Sequence, residues 1–468
     1  MAKRPAHIAK LAAWALAGTV LIVAVLAVLI NLRDPEISGE ARAMAHFELP
    51  AIPPEGNAYV ALLGLTAPPR VDPMAEGNRL AAERDGALSA DPFARQRLPH
   101  EEREADSDQD DHLAFTGDRD AGCDIFSEPC LPFARARDQA VRALFAGNRL
   151  LIDRYEQAQR LPGFAAVPIA DKRRADIERS NLGRVHAVLL TVAALNAQQQ
   201  HAAEACGFLQ ADGAFWRRML SGAGTLGDKL SAFRALAEDA RLASELIASK
   251  AFDAASCGPS LRMLLAPLTA WELSLADAFR MAFVPMVRIL ASWPDPAISV
   301  EPESWADRHL KETPLYDLFY RRNASINRSA ELYAGLAALA AQPTPRFIAA
   351  RDAFVADSAD LVSIGPSWIY NPLGKTLVAR HLPLHVDYIA HAHGVAAYVK
   401  LVRMQLDLKL AAVSLAEVPQ FLERAGPDSA NPLDGRPFRW DREHRSLSFD
   451  PLDRRWRRWG TSVTVVGP

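Results

Sequence analysis

Four histidines lie close together in the C-terminal third of the chain, at His381, His385, His391 and His393. Imidazole nitrogens are common zinc ligands, and two histidines four residues apart lie on the same face of a helix. His381 and His385 have this spacing, but Pro383 between them favours the start of a helix over its interior. No H-E-x-x-H pattern supplies a general base. The four histidines therefore predict either a metal site or ordinary surface and partly buried histidines.

The C-terminal tail is unusually rich in arginine and tryptophan. Arginine planes stack on indole rings, and both residue types are enriched where proteins contact other proteins. A small sheet with a tryptophan and arginine face packed on the helices would use the same residues. The tail therefore predicts an interaction surface, with that packed face as the alternative. The surface would consist of Trp440, Arg454, Arg455, Trp456, Arg457, Arg458 and Trp459.

Other motifs that bind cofactors or perform catalysis are incomplete. The acidic segment 106–110 is spaced like the first ligands of a calcium loop, but Asp111 stands where that loop needs glycine. Gly374 begins a segment similar to the end of a phosphate-binding loop, whose first glycine is replaced by Ile369. The serine motif G-x-S-x-G is absent. We therefore expect no cofactor and identify no catalytic residue, and a protein without enzymatic activity is favoured over an enzyme.

The chain contains four cysteines, Cys123, Cys130, Cys206 and Cys257. An even number in an exported chain is compatible with two disulfides, which four cysteines can form in three ways. We favour Cys123 with Cys130, across a short loop, and Cys206 with Cys257, between two helical segments. The alternative is free buried thiols. The spacings do not resemble the paired C-x₂-C knuckles of zinc sites.

The apolar segment 11–32 contains no charged residue and predicts a transmembrane anchor. Lys3, Arg4 and Lys10 precede it, whereas Arg33 is followed by acidic residues, so the N-terminus should lie in the cytoplasm. A cleaved signal peptide is the alternative, although its apolar region is usually only about 7–15 residues long. Either interpretation exports the rest of the chain. We expect a single-pass protein of the bacterial inner membrane, with its C-terminal domain in the periplasm.

Composition limits the class of protein. The 468 residues are 50% hydrophobic and carry a formal net charge of −3. This charge argues against a nucleic-acid binder, and the hydrophobic content argues against a disordered chain. The length suits two to three domains or one extended helical array.

Hydrophobic periodicity predicts helices through most of the chain, and strand patterns are confined to the C-terminus. The predicted fold class is mostly α: a transmembrane helix, an irregular helical bundle or array, and a small C-terminal β hairpin. The predicted divisions are a cytoplasmic N-terminus (1–10), the anchor (11–32), a Pro-rich spacer with an acidic loop (33–130), a helical domain (131–430) and a β appendage (431–468).

The segment from Asn431 to Trp440 reads N-P-L-D-G-R-P-F-R-W. It resembles a turn and strand of the form x-P-x-x-G-x-P-φ-x-aromatic, near the ends of several bacterial exported proteins of unknown function. The layout of the chain is similar to uncharacterised single-pass, membrane-anchored helical envelope proteins of Gram-negative bacteria. These resemblances imply an envelope location and no mechanism.

The sequence thus favours an envelope interaction or scaffold protein. Its expected partners are the inner membrane, through residues 11–32, and another envelope protein, with no nucleic acid. The alternatives are a periplasmic hydrolase whose site is dispersed in sequence and a receptor for a metal or another ligand.

Overall fold

The computed structural model describes residues 4–47, 52–82, 91–94, 112–118, 122–166, 172–292, 319–358, 369–379, 382–426, 429–452, 456 and 460–467. Within these ranges the chain is mostly helical, with a three-stranded antiparallel sheet near the C-terminus and one apolar helix at the N-terminus. The predicted fold class is confirmed.

Helix α1 (Arg4–Asn31) contains a stretch, Ala12–Asn31, that is long and apolar enough to cross a membrane. Its large side chains point away from the rest of the protein, and Trp14 is 77% exposed. A helix satisfies its own backbone hydrogen bonds, which a hydrocarbon layer requires. The exposed apolar surface of α1 is therefore the kind that lipid would cover.

The remaining helices follow in three groups. After α1 come α2 (Gly39–Ala45), a 3₁₀ turn (Pro54–Gly56), α3 (Ala58–Leu63) and α4 (Pro73–Ala82). The second group is α5 (Cys130–Ala136), α6 (Asp138–Gly147), α7 (Arg149–Gln159), α8 (Lys172–Gln198), α9 (Ala202–Ser221) and α10 (Leu226–Ala248). The third is α11 (Ala254–Leu264), α12 (Ala270–Leu273), α13 (Ala276–Ser292), α14 (Arg322–Ala340), α15 (Thr344–Asp357), α16 (Pro372–Ala379), α17 (Leu382–Leu410) and α18 (Val418–Arg424).

Helix α10 is central to the core. It packs against α8, α9 and α17, and most of its residues are buried. Its N-terminus is fixed by a capping box, in which Thr225 Oγ1 accepts from the Asp228 amide and Asp228 Oδ2 accepts from the Thr225 amide. The chain therefore turns sharply from α9 into α10, and the two helices run side by side.

The two predicted cysteine pairs are present. Cys123 lies at disulfide-bonding distance from Cys130, with 5.6 Å between their Cα atoms. Cys206 pairs in the same way with Cys257, at 5.3 Å, and this bond joins α9 to α11. Both pairs are buried and are compatible with an oxidising compartment.

The Pro-rich segment is part of the core, which corrects its interpretation as a spacer. All residues of α3 are buried, and they join the same apolar cluster as α8 and α9. The buried guanidinium of Arg154 on α7 donates to the carbonyls of Leu65, Ala67, Pro68 and Val71. Proline and turn residues predict a loop, but they do not show that a side chain 83 to 89 positions away satisfies its backbone.

The C-terminal sheet consists of β1 (Arg439–Asp441), β2 (Ser446–Ser448) and β3 (Ser462–Thr464), in that order. It has one strand more than the predicted hairpin. Leu447 and Val463 are paired and buried against the helices. Gln405 of α17 donates to the carbonyls of Ser244 and Thr464, which ties α10, α17 and β3 together.

Replacing Gly394 with alanine should destabilise the junction between α17 and the tail. The new β-carbon would overlap the indole nitrogen of the fully buried Trp456. We expect the free energy of unfolding to fall by about 1–3 kcal/mol, as for other overpacked cores. Denaturant unfolding of the full chain in detergent measures this change.

Gly207 provides the control, because it lies in α9 and a β-carbon there has no heavy atom within 4 Å. Gly207→Ala should stabilise the protein by about 0.5–1 kcal/mol through helix propensity. An equal effect of the two substitutions would show that the Trp456 contact is not tight.

Candidate functional site

Three ionisable side chains converge in the core where α8, α9 and α10 meet. His186 Nε2 lies 3.0 Å from Asp212 Oδ2 and 3.2 Å from Asp239 Oδ1. All three residues are at most 1% exposed. Their closest nitrogen and oxygen atoms lie within 4.8 Å of one another, and no other such group of three is found in the described part of the chain. We call these three residues the His186 cluster.

The other ring nitrogen of His186 faces a third carboxylate. Its Nδ1 lies 3.1 Å from Glu238 Oε2, and Glu238 Oε1 accepts from Arg234 at 2.8 Å. The half-exposed guanidinium of Arg234 thus connects this buried carboxylate to the protein surface. Glu238 orients the imidazole, because a ring nitrogen that donates here leaves the other nitrogen pointing at the two aspartates.

Asp212 accepts hydrogen bonds from three further side chains. Tyr155 Oη donates to its Oδ1 at 2.5 Å, and Gln159 Nε2 donates to the same atom. Trp216 Nε1 donates to its Oδ2 at 2.7 Å. These donors hold Asp212 as a carboxylate. In contrast, Asp239 Oδ2 has no hydrogen-bond partner among the described residues.

The environment shifts the pKa values of the cluster in opposite directions. Burial alone would lower the pKa of His186, but Asp212, Asp239 and Glu238 raise it well above its usual value. Burial would raise the pKa of Asp212, but charged His186 and the donating Tyr155 lower it. Burial and the neighbouring Asp212 charge raise the pKa of Asp239 well above its usual value. The cluster therefore favours a positive charge between its carboxylates.

A cavity of about 390 Å³ borders the cluster. His186, Trp216 and Glu238 line it on the core side, and Arg179, Arg184 and Arg234 also contribute to its wall. The cavity is large enough for several water molecules or a small ligand. Of the three cluster residues only His186 lines this space, and the two aspartates are not part of its wall.

No sequence motif indicates this cluster. His186, Asp212 and Asp239 are separated by 26 and 27 positions and belong to no spaced motif. A weak signal exists, since each residue interrupts the apolar face of a predicted helix. His186, for example, follows the buried Val185 and precedes the buried Val188. Such interruptions occur in many helices, so they indicate a buried polar group only after the packing is known.

The predicted histidine group at 381–393 is spread over different surroundings. His385 lies against Phe279 and Tyr333, with ring centroids 5.6 and 5.4 Å away. His391 lies beside Trp456, and His393 stacks on Phe347 at 4.5 Å. All three are buried on α17, whereas His381 lies outside the described residues.

His393 also has its own hydrogen bond, because its Nδ1 lies 2.9 Å from Thr344 Oγ1. The described histidines thus have separate neighbours. Metal binding at His381, His385, His391 and His393 together stays a prediction.

The predicted interaction surface in the tail loses one member. Trp456 is fully buried beside Tyr398 and Phe449, which corrects its assignment to an exposed surface. The indole is large and apolar, and α17 offers a glycine, Gly394, where it can approach the helix closely. Trp440 is half-buried. The other members lie outside the described residues: Arg454, Arg455, Arg457, Arg458 and Trp459.

Comparison with known proteins gives no relative. No family of proteins, no curated protein and no solved structure matches the chain. The site must therefore be interpreted from its own geometry.

His393 should make the stability of the protein depend on pH. Burial lowers the pKa of His393 to about 4, whereas an unfolded histidine has a pKa near 6.5. Between these values the unfolded chain binds a proton that the folded protein excludes. Stability is therefore complete above about pH 6.5 and falls by up to roughly 3 kcal/mol as the pH approaches 4. Unfolding measured from pH 7.5 to 4 tests this dependence.

His393→Asn should flatten that part of the profile, because the asparagine amide can still bond Thr344 but does not titrate. His201→Asn is the control, since His201 is exposed in the folded protein. If both variants keep the wild-type slope between pH 6.5 and 4, His393 is not the group responsible.

Proposed function

We propose that the chain is a membrane-anchored envelope protein that acts as an interaction or scaffold protein. In this proposal α1 crosses the bacterial inner membrane with its N-terminus in the cytoplasm, and the helical body lies in the periplasm. The apolar surface of α1, the basic residues before it and the two cysteine pairs support this location. The likeness in layout to uncharacterised anchored envelope proteins points the same way.

The observation that carries the proposal is the attachment of α1 to the body. Asn31, the last residue of α1, is completely buried. Its side chain donates to the Ile369 carbonyl at 2.5 Å and accepts from the Asn371 amide at 2.8 Å. Asn371 in turn accepts from the Arg321 amide and donates to Ser325 Oγ. A buried asparagine with partners 338 and 340 positions away fixes the end of the helix to the body.

The residues after α1 continue this attachment. Asp34 caps α14, accepting from the amides of Asn323 and Ala324 at 3.1 and 3.0 Å. Arg321, the residue before α14, makes no side-chain cap of its own. Asn327 accepts from the Ser38 amide and donates to the Glu36 carbonyl, both at 2.8 Å. We call these contacts, from Asn31 to Ser38, the anchor clamp.

The anchor clamp bears on function because it replaces a flexible linker. A protein that needs to reach distant substrates is served by a long, mobile tether. Here α1 and the body are joined by hydrogen bonds at each end of a segment of only a few residues. The body would then have one height and orientation at the bilayer, which suits a protein that presents a surface to a partner in or near the membrane.

Asn31→Ala should loosen the anchor clamp. The variant leaves the buried Asn371 amide without its partner, which should cost about 1–3 kcal/mol locally. Local opening exposes the neighbouring peptide bonds to proteases. We expect trypsin to cleave after Arg33 several times faster than in the wild-type protein, with both reconstituted in liposomes.

Thr19→Ala is the matched control, because the Thr19 hydroxyl donates to the Ala15 carbonyl within α1 and is exposed. It should leave the cleavage rate unchanged. Equal rates for Asn31→Ala and wild type would mean that Asn31 does not hold the junction closed.

Crosslinking in intact membranes, followed by purification of the tagged full chain, tests the scaffold function. Wild type and Thr19→Ala should recover the same protein partner. Asn31→Ala should recover several-fold less of it, because the body loses its fixed orientation. If repeated trials recover no partner, or if all three proteins recover it equally, the proposal fails.

A periplasmic hydrolase is the second candidate, and the cavity beside the His186 cluster favours it. Titratable side chains with shifted pKa values beside a cavity are a common arrangement in active sites. Chromogenic ester and phosphate substrates provide a direct screen. An activity that His186→Gln abolishes would support this candidate over the scaffold.

A further inference from the structure

We propose that the His186 cluster binds a divalent first-row transition ion through His186 Nε2, Asp212 Oδ2 and Asp239 Oδ1. Ligand nitrogen and oxygen atoms lie about 2.0–2.2 Å from such an ion. Two ligands of one ion are therefore roughly 3.0–3.5 Å apart. The separations of 3.0 and 3.2 Å from His186 Nε2 already meet this requirement. No backbone movement is needed to bring the ligands together.

The orientation of His186 also fits a metal ligand. Its Nδ1 faces Glu238 Oε2 at 3.1 Å, so a neutral imidazole carries its proton on Nδ1. The lone pair of Nε2 then points at the oxygens of Asp212 and Asp239. Either a proton on Nε2 or a metal ion among the three atoms offsets their mutual repulsion, and the same geometry serves both. A histidine oriented by a carboxylate through its second nitrogen is the usual outer arrangement of metal sites.

The charges of the site balance with a divalent ion present. Asp212 and Asp239 together supply two negative charges to the ion. Glu238 is balanced by Arg234, and the imidazole is neutral. Without an ion, protons on His186 and Asp239 give the same balance, with Arg234 and charged His186 facing the carboxylates of Asp212 and Glu238. A divalent ion would therefore replace two protons without leaving an uncompensated buried charge, and such a charge would be costly.

The surroundings provide the remaining elements of a metal site. Tyr155, Gln159 and Trp216 donate to Asp212 and fix its orientation. Asp239 Oδ2 is buried without a hydrogen-bond partner among the described residues, so it is free to become a second oxygen ligand. The cavity is lined by His186, so an ion that enters from it would meet the imidazole before the two aspartates.

The donor atoms select the class of ion. One imidazole nitrogen and two carboxylates suit Mn²⁺, Fe²⁺, Co²⁺ or Zn²⁺. Thiolate, which would favour Cu⁺, is lacking because all four cysteines are paired. Three protein ligands leave positions for water. This inference does not depend on whether the chain is a scaffold or a hydrolase.

Cobalt binding to the purified full chain in detergent tests the proposal. The protein is first stripped with a chelator and then titrated with Co²⁺. We expect one equivalent of bound metal by elemental analysis, visible absorption bands of protein-bound Co²⁺, and displacement of Co²⁺ by Zn²⁺. We also expect the melting temperature to rise with the concentration of the ion.

Asp239→Asn keeps the shape of the side chain and removes one anionic ligand, so the affinity for Co²⁺ should fall at least tenfold. Glu272→Gln is the control, because Glu272 is a buried carboxylate elsewhere, paired with Arg217 at 2.6 Å. It should bind Co²⁺ as the wild type does. Near-ultraviolet circular dichroism shows whether each variant is folded.

Two results would overturn the proposal. The first is that the folded wild-type protein binds less than one equivalent of each of Co²⁺, Zn²⁺ and Mn²⁺. This measurement needs no variant. The second is equal affinity in Asp239→Asn and Glu272→Gln. Either result would identify the cluster as a proton-sharing network that joins three helices.

Discussion

The packing of the core is constrained by ionisable side chains that are buried where α8, α9 and α10 meet. Each helix contributes one residue of the His186 cluster, and none of the three residues is more than 1% exposed. The desolvation of His186, Asp212 and Asp239 opposes folding, and only their mutual attraction and the donors around Asp212 offset it. Apolar packing would tolerate small slides and rotations of the helices. Hydrogen bonds of 3.0 and 3.2 Å to one imidazole do not, so the cluster fixes how the three helices sit together.

The need to pair buried polar groups also explains how the irregular segments are fixed to the helices. Buried backbone groups in loops need partners, and long polar side chains from helices supply them. Arg154 satisfies four carbonyls of the chain between α3 and α4, and Asn371, at a positive φ of 52°, links the end of α1 to α14. Asparagine tolerates this left-handed conformation better than most residues. In both places one polar side chain connects parts of the chain that are far apart in sequence.

Local patterns explain which properties could be predicted from the sequence. Helix periodicity, the apolar run of α1 and the pairing of Cys123 with Cys130 depend on neighbouring residues or short loops, and the structure contains all three. The His186 cluster, the burial of α3 and the core position of Trp456 depend on contacts between distant segments. A histidine or tryptophan has the same local context whether it lies in a core or on a surface. The four histidines at 381–393 are close in sequence, whereas the three residues of the His186 cluster converge in space although they are about 26 positions apart in sequence.

The anchor clamp restricts how the body, which contains the His186 cluster, can move relative to α1. A clamp made of short hydrogen bonds at Asn31 and Asp34 limits rotation of the body about the end of α1. Packed helices connect this joint to the centre of the body, because α13 contacts both α2 and α10, and α10 contributes residues to the cavity over His186. If α1 spans a bilayer, whatever enters that cavity must approach from one side of the body. If the chain is the scaffold proposed above, this joint would hold the body at a set distance from the lipid surface, where a partner would meet it.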